Sequence, residues 1–426
     1  MNYVLAAIGI VFSILFAYQI IYALIGLFMK PVVHGKGDNN RFAVIISARN
    51  ESAVIENLIN SIKAQTYPQE LIEIYVVADN CDDDTAEICR GCGVNVYERF
   101  NKEKVGKGYA MDYLFEKIFE KVGNDHYDGF FVFDADNILE PDFIEQMNNT
   151  FSAGYKVVTG YRNSTNFGAN WISAGYGVNF IKEARYVNYS RMILKSSCAI
   201  SGTGFLMHKD LLKKSGGWKY YLLTEDIEFT VATILDGEKI GYCHKAVFYD
   251  EQPETFVQSW NQRLRWAKGF LQVFRHYGGK LIKGIFTNKG NRLACLDLTL
   301  KTMPVSAVIL VMIIANIVNI VMGVVSGEMN MWGVIVGFWN ILFGGYGTFM
   351  FMGALTVITE WKYINCTNPR KILYIFTFPF YMATYLPIGI VALFKKVEWT
   401  PIKHYGQQKN HKESKEKEQI PETVGE

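Results

Sequence analysis

The chain has 426 residues, half of them hydrophobic and 15% aromatic, long enough for one large core plus a membrane part. Its formal net charge is only +2. That supplies no global field for a polyanion and excludes nucleic acid as an expected partner. Residues 4–29 are almost entirely apolar and uncharged, and about 20 such residues span a bilayer. No basic stretch precedes them and no clear small-residue cleavage site follows, so a transmembrane helix over residues 1–30 is expected rather than a signal peptide. Lys30, Lys36 and Arg41 come next, which by the positive-inside rule places the N-terminus outside and the following domain in the cytosol.

From residue 41 to 253 strand-like and helix-like pieces alternate. Apolar runs predict strands at 42–47, 72–78, 94–97, 130–133 and 156–159. Helical spacing predicts helices at 53–64, 85–92, 107–122, 170–194 and 222–235, and Pro141 reads as a first-turn proline. This order predicts an α/β domain with a mostly parallel sheet and helices on both faces. Cys89 and Cys92 form a C-x-x-C with no second pair or nearby histidine to complete a zinc site. Cys89 and Cys92 are therefore expected as buried small apolar side chains, and the seven scattered cysteines, which form no disulfide framework, fit a reduced, cytosolic environment.

Residues 254–301 change character. Phe256, Trp260, Leu264, Leu271 and Phe274 recur at helical spacing among Arg263, Arg265, Lys268 and Arg275. Such a stretch either lies in the membrane interface or packs on the soluble domain. Within residues 302–394, three apolar segments at 303–325, 332–358 and 372–394 are each long enough to span. Three crossings would leave the C-terminus outside, yet Lys395, Lys396 and Lys403 favour inside. Pro379 and Pro387 would reconcile the two by breaking the last segment into a re-entrant hairpin, and a cytosolic C-terminus is expected. Residues 395–426 form a basic, polar tail, with disorder expected after about residue 407.

The chemistry gathers at strand ends. The run 130–133 stops at Asp134-Ala135-Asp136. Ligands in parallel α/β sheets bind outside the carboxyl ends of strands, and carboxylates there can hold a hard divalent cation that in turn holds phosphate. The first strand ends in Ser47-Ala48-Arg49-Asn50-Glu51 and the second at Asp79. Asp82 and Asp83 read as a solvated helix start. Lys107, between Gly106 and Gly108, opens a helix in a manner suited to phosphate, without Walker spacing. Ser201-Gly202-Thr203-Gly204 is a small-residue turn where a backbone can approach a ligand. Thr224-Glu225-Asp226 starts a helix with Thr224 placed as its N-cap. Gln262 and Trp266 share a helix face beside Arg265. Arginine offers a fork for diphosphate, and tryptophan a surface for a sugar ring.

Taken together and in this order, the R-N-E strand end, Asp79, the K-G helix start, D-A-D, G-T-G, T-E-D and Q-x-x-R-W resemble the membrane-embedded family-2 glycosyltransferases, which include cellulose, chitin, hyaluronan and poly-N-acetylglucosamine synthases. The resemblance covers about residues 42–270. It implies a GT-A fold and a UDP-sugar donor whose hexose, N-acetylglucosamine or a relative, passes to a growing β-linked polysaccharide with inversion. A single transfer to a lipid acceptor is the alternative. It also implies that Arg49, Glu51, Asp79, Lys107 and Asp134 hold the nucleotide sugar and that Asp136 ligates Mg²⁺ or Mn²⁺. Asp226 would be the general base, and Gln262, Arg265 and Trp266 would hold the acceptor terminus and leaving diphosphate. The F-x-V-T-x-K gating loop of cellulose synthases is absent, while residues 399–403, W-T-P-I-K, loosely match the W-G-T-R element of hyaluronan synthases. Membrane lipid is an implied partner, with export or accessory subunits as further candidates because few segments are available to build a pore.

Overall fold

A computed structural model describes residues 2–327, 330–400 and 404. Eight strands, β1 (Phe42–Ala48), β2 (Ile72–Asp79), β3 (Asn95–Arg99), β4 (Gly129–Asp134), β5 (Ile138–Leu139), β6 (Val157–Ser164), β7 (Phe205–His208) and β8 (Ile240–Asp250), form one sheet in the order β3-β2-β1-β4-β7-β6-β8-β5. The first half is parallel: β1 pairs with both β2 and β4, and β2 with β3. Strand β7 runs antiparallel between β4 and β6, while β8 runs parallel to β6 with β5 antiparallel at the edge.

Side chains of a strand alternate between faces, and β1 shows it. Ala43 and Ile45 join Val77, Met111, Leu114 and Phe115 on one face, whereas Phe42, Val44 and Ile46 join Leu58, Ile62, Phe131 and Phe143 on the other. The helix Lys107–Val122 covers the first face, and Ile55–Lys63 with Phe143–Ser152 the second. Each expected strand and helix of the domain is present, with three differences in detail. Pro141 precedes the capping residue Asp142 and so stands outside the first turn. The helix expected at 222–235 begins at Glu225. The long helix expected at 170–194 is Trp171–Lys182, a π-helical stretch Glu183–Asn188 and Tyr189–Ile193, opened by a capping box in which Asn170 and Ser173 satisfy each other's backbone. Strand β8 has no counterpart among the expected strands, and the helix Arg292–Thr302 closes the amphipathic stretch.

The basic aromatic stretch is the 32-residue helix Phe256–Thr287. Its inner face is buried: Val273 and Leu281 join the core of the domain, while Arg263 and Leu264 pack against the last apolar segment. Phe256, Val257 and Phe286 stay exposed on the outer face. Among the described residues, four helical segments are long and apolar enough to cross a membrane: Gly9–Phe28, Val305–Val325, Met331–Thr359 and Asn368–Phe394. The first is tied to the domain, since Tyr18 donates to Asp297 at 2.7 Å, Tyr189 to the Met29 carbonyl and Ser190 to that of Tyr22. The last is two helices, Asn368–Ala383 and Tyr385–Phe394, that meet at Thr384 between the two prolines. A proline inside a helix removes a backbone hydrogen bond. Arg263 stands at this break, donating to the Tyr381 carbonyl and to Thr384 Oγ1 at 2.6 Å, with its guanidinium over the rings of Tyr381 and Tyr385.

Candidate active site

Parallel pairing brings three strand ends together, with Ser47 opposite Asp134 and Ala48 opposite Ala78. The chain then turns away through Asn50 and Asn80, whose φ values of 59° and 53° are left-handed, a conformation asparagine tolerates. Asp79 is buried, and its carboxylate is ion-paired to Arg99, its neighbour on β3. Burial raises this carboxyl, while Arg99 and Arg49 pull it back down. Arg99 also donates to the Lys104 carbonyl at 2.7 Å, which ties the loop before Lys107 to the same corner.

The K-G, D-A-D and G-T-G motifs form one hydrogen-bonded unit. Lys107 is ion-paired to Asp134 and donates to the Gly202 carbonyl at 2.8 Å. The Asp134 backbone N–H donates to Thr203 Oγ1 at 2.8 Å. Gly204 has φ +65°, and a Cβ there would lie 2.3 Å from the Phe248 ring, so only glycine fits this turn. Asp136 is buried, and its Oδ2 accepts from the Glu251 N–H at 2.9 Å. Burial, helped by Asp250, Asp134 and Glu51 and opposed by His404, pushes the Asp136 carboxyl up to about 7. Asp250, at the end of β8, is ion-paired to Arg162 through Oδ2, while its buried Oδ1 has no protein partner.

Opposite this unit stand the T-E-D and Q-x-x-R-W elements. Thr224 occupies the N-cap position but makes no capping bond; its hydroxyl is buried without a protein partner. It abuts Gly269, where a Cβ would lie 2.5 Å from the Thr224 side chain. Glu225 is buried and Asp226 half-buried. Burial raises both carboxyls, Glu225 to about 7, against the lowering effect of Lys107 and Arg265. Arg265 donates to the Leu223 carbonyl at 3.3 Å. Trp266 packs edge-on to Tyr176 and Phe180, and Gln262 Oε1 is buried with no protein partner.

All of these surfaces enclose a single cleft of about 430 Å³. It is lined by each candidate named from the sequence: Arg49, Glu51, Asp79, Lys107, Asp134, Asp136, Asp226, Gln262, Arg265 and Trp266. At the membrane end it reaches Met382 and Tyr385, beside the helix break. Trp399, Thr400 and His404 also line it, which puts this part of the chain on the catalytic domain's side; residues 401–403 and 405–426 of the tail lie outside the described residues. Arg49 lies 5.2 Å from the Trp399 ring centroid. Sequence reading missed Arg99, Arg162, Asp250, Glu251 and His404. A signal for two of them existed: the largely apolar run that becomes β8 ends at Asp250, with Glu251 next, much as β4 ends at D-A-D.

Among the described residues no cluster of three or more histidine, cysteine or carboxylate side chains forms a ready metal cage. A hard divalent ion in a nucleotide site does not require one, because it takes one or two carboxylates and completes its shell with phosphate and water. Buried Asp136, near the Asp250 oxygen that lacks a partner, suits such an ion.

A mixed sheet with clustered strand ends and an acidic cleft is the architecture of a GT-A glycosyltransferase. Residues 39–269, more than half of the chain, match the family model described as Glycosyltransferase like family 2, and the chain belongs to that family. It is 25% identical over 240 residues to a β-monoglucosyldiacylglycerol synthase of Synechocystis sp., covering 55% of this chain and 48% of that protein. It is 26% identical over 234 residues to a poly-β-1,6-N-acetyl-D-glucosamine synthase of Staphylococcus epidermidis, covering 54% of each. The chain thus spans about half the length of the curated relatives it matches. A mannosyltransferase from Pyrobaculum calidifontis, solved with GDP-mannose and Mn²⁺, shares the fold with a TM-score of 0.53 at 15% identity, over 92% of this chain and 99% of that one.

Proposed function

We propose that the protein is an inverting membrane glycosyltransferase that passes N-acetylglucosamine or a related hexose from a UDP-sugar to a growing β-linked polysaccharide. The observation that carries this reading is the convergence of D-A-D, Asp226 and Q-x-x-R-W on one cleft. Asp79 and Arg49 bind the nucleotide end, and Lys107 with Asp134 positions the donor. Asp226 accepts the proton of the acceptor hydroxyl as that oxygen attacks the anomeric carbon. Gln262, Arg265 and Trp266 hold the acceptor terminus and the diphosphate. Asp136 would hold Mg²⁺ or Mn²⁺, which when bound supplies positive charge for the leaving diphosphate. One displacement turns an α-linked donor into a β-linked product. The catalytic domain faces the cytosol, on the basic side of the first apolar helix.

A single transfer to a lipid acceptor is the second reading. It is favoured by the extension of the cleft to Met382 and Tyr385 at the break between apolar helices. Purified protein in lipid, incubated with a panel of UDP- and GDP-sugars with and without diacylglycerol, separates the two. Nucleotide release with long products supports the polysaccharide reading. Release with one sugar per lipid supports the second, and no release with any donor refutes both.

A further inference from the structure

The cleft wall carries an ion pair that the reaction as read above does not use. Lys301 Nζ lies 2.6 Å from Glu183 Oε1, and both side chains line the cleft. Lys301 stands near the end of the helix Arg292–Thr302, about one turn before the apolar helix Val305–Val325. Glu183 opens the π-helical stretch Glu183–Asn188, and π turns are rare and recur at functional sites. Lys301 also acts on the proposed base: the Asp226 carboxyl, raised by burial, is drawn back by the Ile227 N–H, by Lys107 and by Lys301. Lys301 thus links Asp226 to the foot of an apolar helix. Two other pairs tie the same stretch of chain to its neighbours, Arg191 with Asp297 and Arg185 with Glu360, and none of those four residues lines the cleft. Their carboxylates keep 7% and 5% of their side-chain surface, whereas Lys301 keeps 23% and Glu183 21%. Anchoring accounts for the closed pairs and leaves the open one unexplained.

We infer that Glu183 and Lys301 hold the hydroxyl groups of the acceptor's penultimate sugar, the unit behind the one that attacks, and so select an acceptor that already carries sugar over a bare lipid. This rests on the transferase reading above and names the class of acceptor for it. The bond between the two side chains uses one of three ammonium donors and one carboxylate oxygen. A donor and an acceptor therefore remain side by side at the cleft wall. A hydroxyl both donates and accepts, and a sugar ring carries hydroxyls on neighbouring carbons. An acyl chain offers neither, and its presence would strip water from both charges without replacing it. Burial would raise the Glu183 carboxyl, but Lys301 foremost, with Arg191 and Lys182, holds it down at about 2, so the carboxylate stays charged at neutral pH. Asn179, about one helical turn before Glu183, also lines the cleft. Its Oδ1 accepts from Lys182 at 3.0 Å, and its amide N–H₂ adds donors. With Gln262 and Trp266 assigned to the terminal unit, the pair takes the next one.

The test is acceptor kinetics on the full-length protein in lipid nanodiscs, with the donor that the nucleotide-sugar panel selects. Two acceptor pairs are compared: N-acetylglucosamine with its β-linked disaccharide, and diacylglycerol with β-glucosyldiacylglycerol. Wild type is expected to show a lower KM for the sugar-bearing member of at least one pair. Preference within the free sugars points to a growing polysaccharide, and preference within the lipids alone to a glycolipid. Glu183→Gln and Lys301→Met should each raise the KM of the preferred acceptor by about 10–100-fold, as loss of hydrogen bonds to a charged group does, and so flatten the preference. Exchanging the two residues, Glu183→Lys with Lys301→Glu, keeps a donor beside an acceptor and should restore much of it. UDP affinity, titrated in parallel, reports that each variant is folded. A merely structural tie would weaken both members of a pair alike. Such an equal loss, an unchanged preference in the single variants, or no preference in wild type overturns the inference and leaves the transferase reading standing. If wild type transfers to no acceptor with any donor, both fall.

Discussion

At the scale of single residues, the surroundings of Asp136 and Asp226 support the two different roles proposed for them. Asp136 is buried beside other carboxylates and pushed up to about 7, so an unneutralised charge there is costly and a cation is the expected remedy. EDTA should therefore abolish transfer, with Mg²⁺ or Mn²⁺ restoring it, and Asp136→Ala should be inactive yet folded by circular dichroism. Full turnover by the chelated enzyme contradicts this. Asp226 is half-buried and raised by burial, less exposed to water than an ordinary first-turn acid. General-base help is worth about 10²–10⁴-fold. Asp226→Asn should cost at least that in single-turnover transfer while UDP affinity, which the proposal assigns to Asp79 and the metal corner, holds. The pH sign follows from the shift. The base works only as a carboxylate, so activity falls as pH drops through a value above the ordinary aspartate figure of about 3.9. A kcat profile whose acid limb sits at or below that figure assigns the base elsewhere, with Glu225 the first candidate.

At the scale of elements, the long helix Phe256–Thr287 carries Gln262, Arg265 and Trp266, the residues proposed to hold the acceptor, and packs against the T-E-D turn that carries the proposed base. It meets the T-E-D turn at Gly269, against Thr224. Glycine within a helix costs roughly 0.5–1 kcal/mol relative to alanine, so Gly269→Ala would stabilise an isolated helix. Here the added methyl would lie 2.5 Å from the Thr224 side chain, and overpacking of that kind costs about 1–3 kcal/mol. The clash is the larger effect. Gly269→Ala should lower thermal stability and depress transfer by moving Asp226 away from Gln262 and Trp266, with donor binding unchanged. An equally active, more heat-resistant variant would show that the helix shifts without cost. The same helix explains why its charge pattern misleads: Arg263 resembles a solvent-facing residue of a basic amphipathic stretch, yet it is 1% exposed and bonded at the Tyr381–Thr384 break.

At the scale of the whole molecule, apolar segments and catalytic domain are tied at both ends of the chain. Arg191 and Asp297 form a buried pair that also receives Tyr18 from the first apolar helix. At the other end, the two helices of the last apolar segment meet at Thr384, and beyond them Trp399 and His404 enter the cleft. Lys396, whose side chain is 89% exposed, and Lys214 on the domain surface should then share one side of the membrane. Cysteines introduced singly at Lys396 and Lys214 should both resist an impermeant maleimide in intact cells and both react after permeabilisation. Labelling of Lys396→Cys alone in intact cells would mean that the fourth apolar segment crosses the bilayer.

Much of this was legible in the sequence because its signals are local. An apolar run that stops at a carboxylate marks a strand end at the ligand edge of a parallel sheet, which located Asp79, Asp134 and Asp136. Helical spacing put Gln262 and Trp266 on one face with Arg265 beside them, and motif order carried the family. The sequence by itself thus determined the α/β alternation, the candidate residues and the apolar segments. Only the tertiary structure decided which charges are paired. Arg99 with Asp79, Arg162 with Asp250 and His404 with Glu51 join positions 20, 88 and 353 residues apart. It also decided that Arg263 is buried where the two helices of the last apolar segment meet. The physical reason is common to all of these. Whether a charge is solvated or paired depends on which distant segment the fold brings within hydrogen-bonding reach, and no periodicity along the chain records that distance.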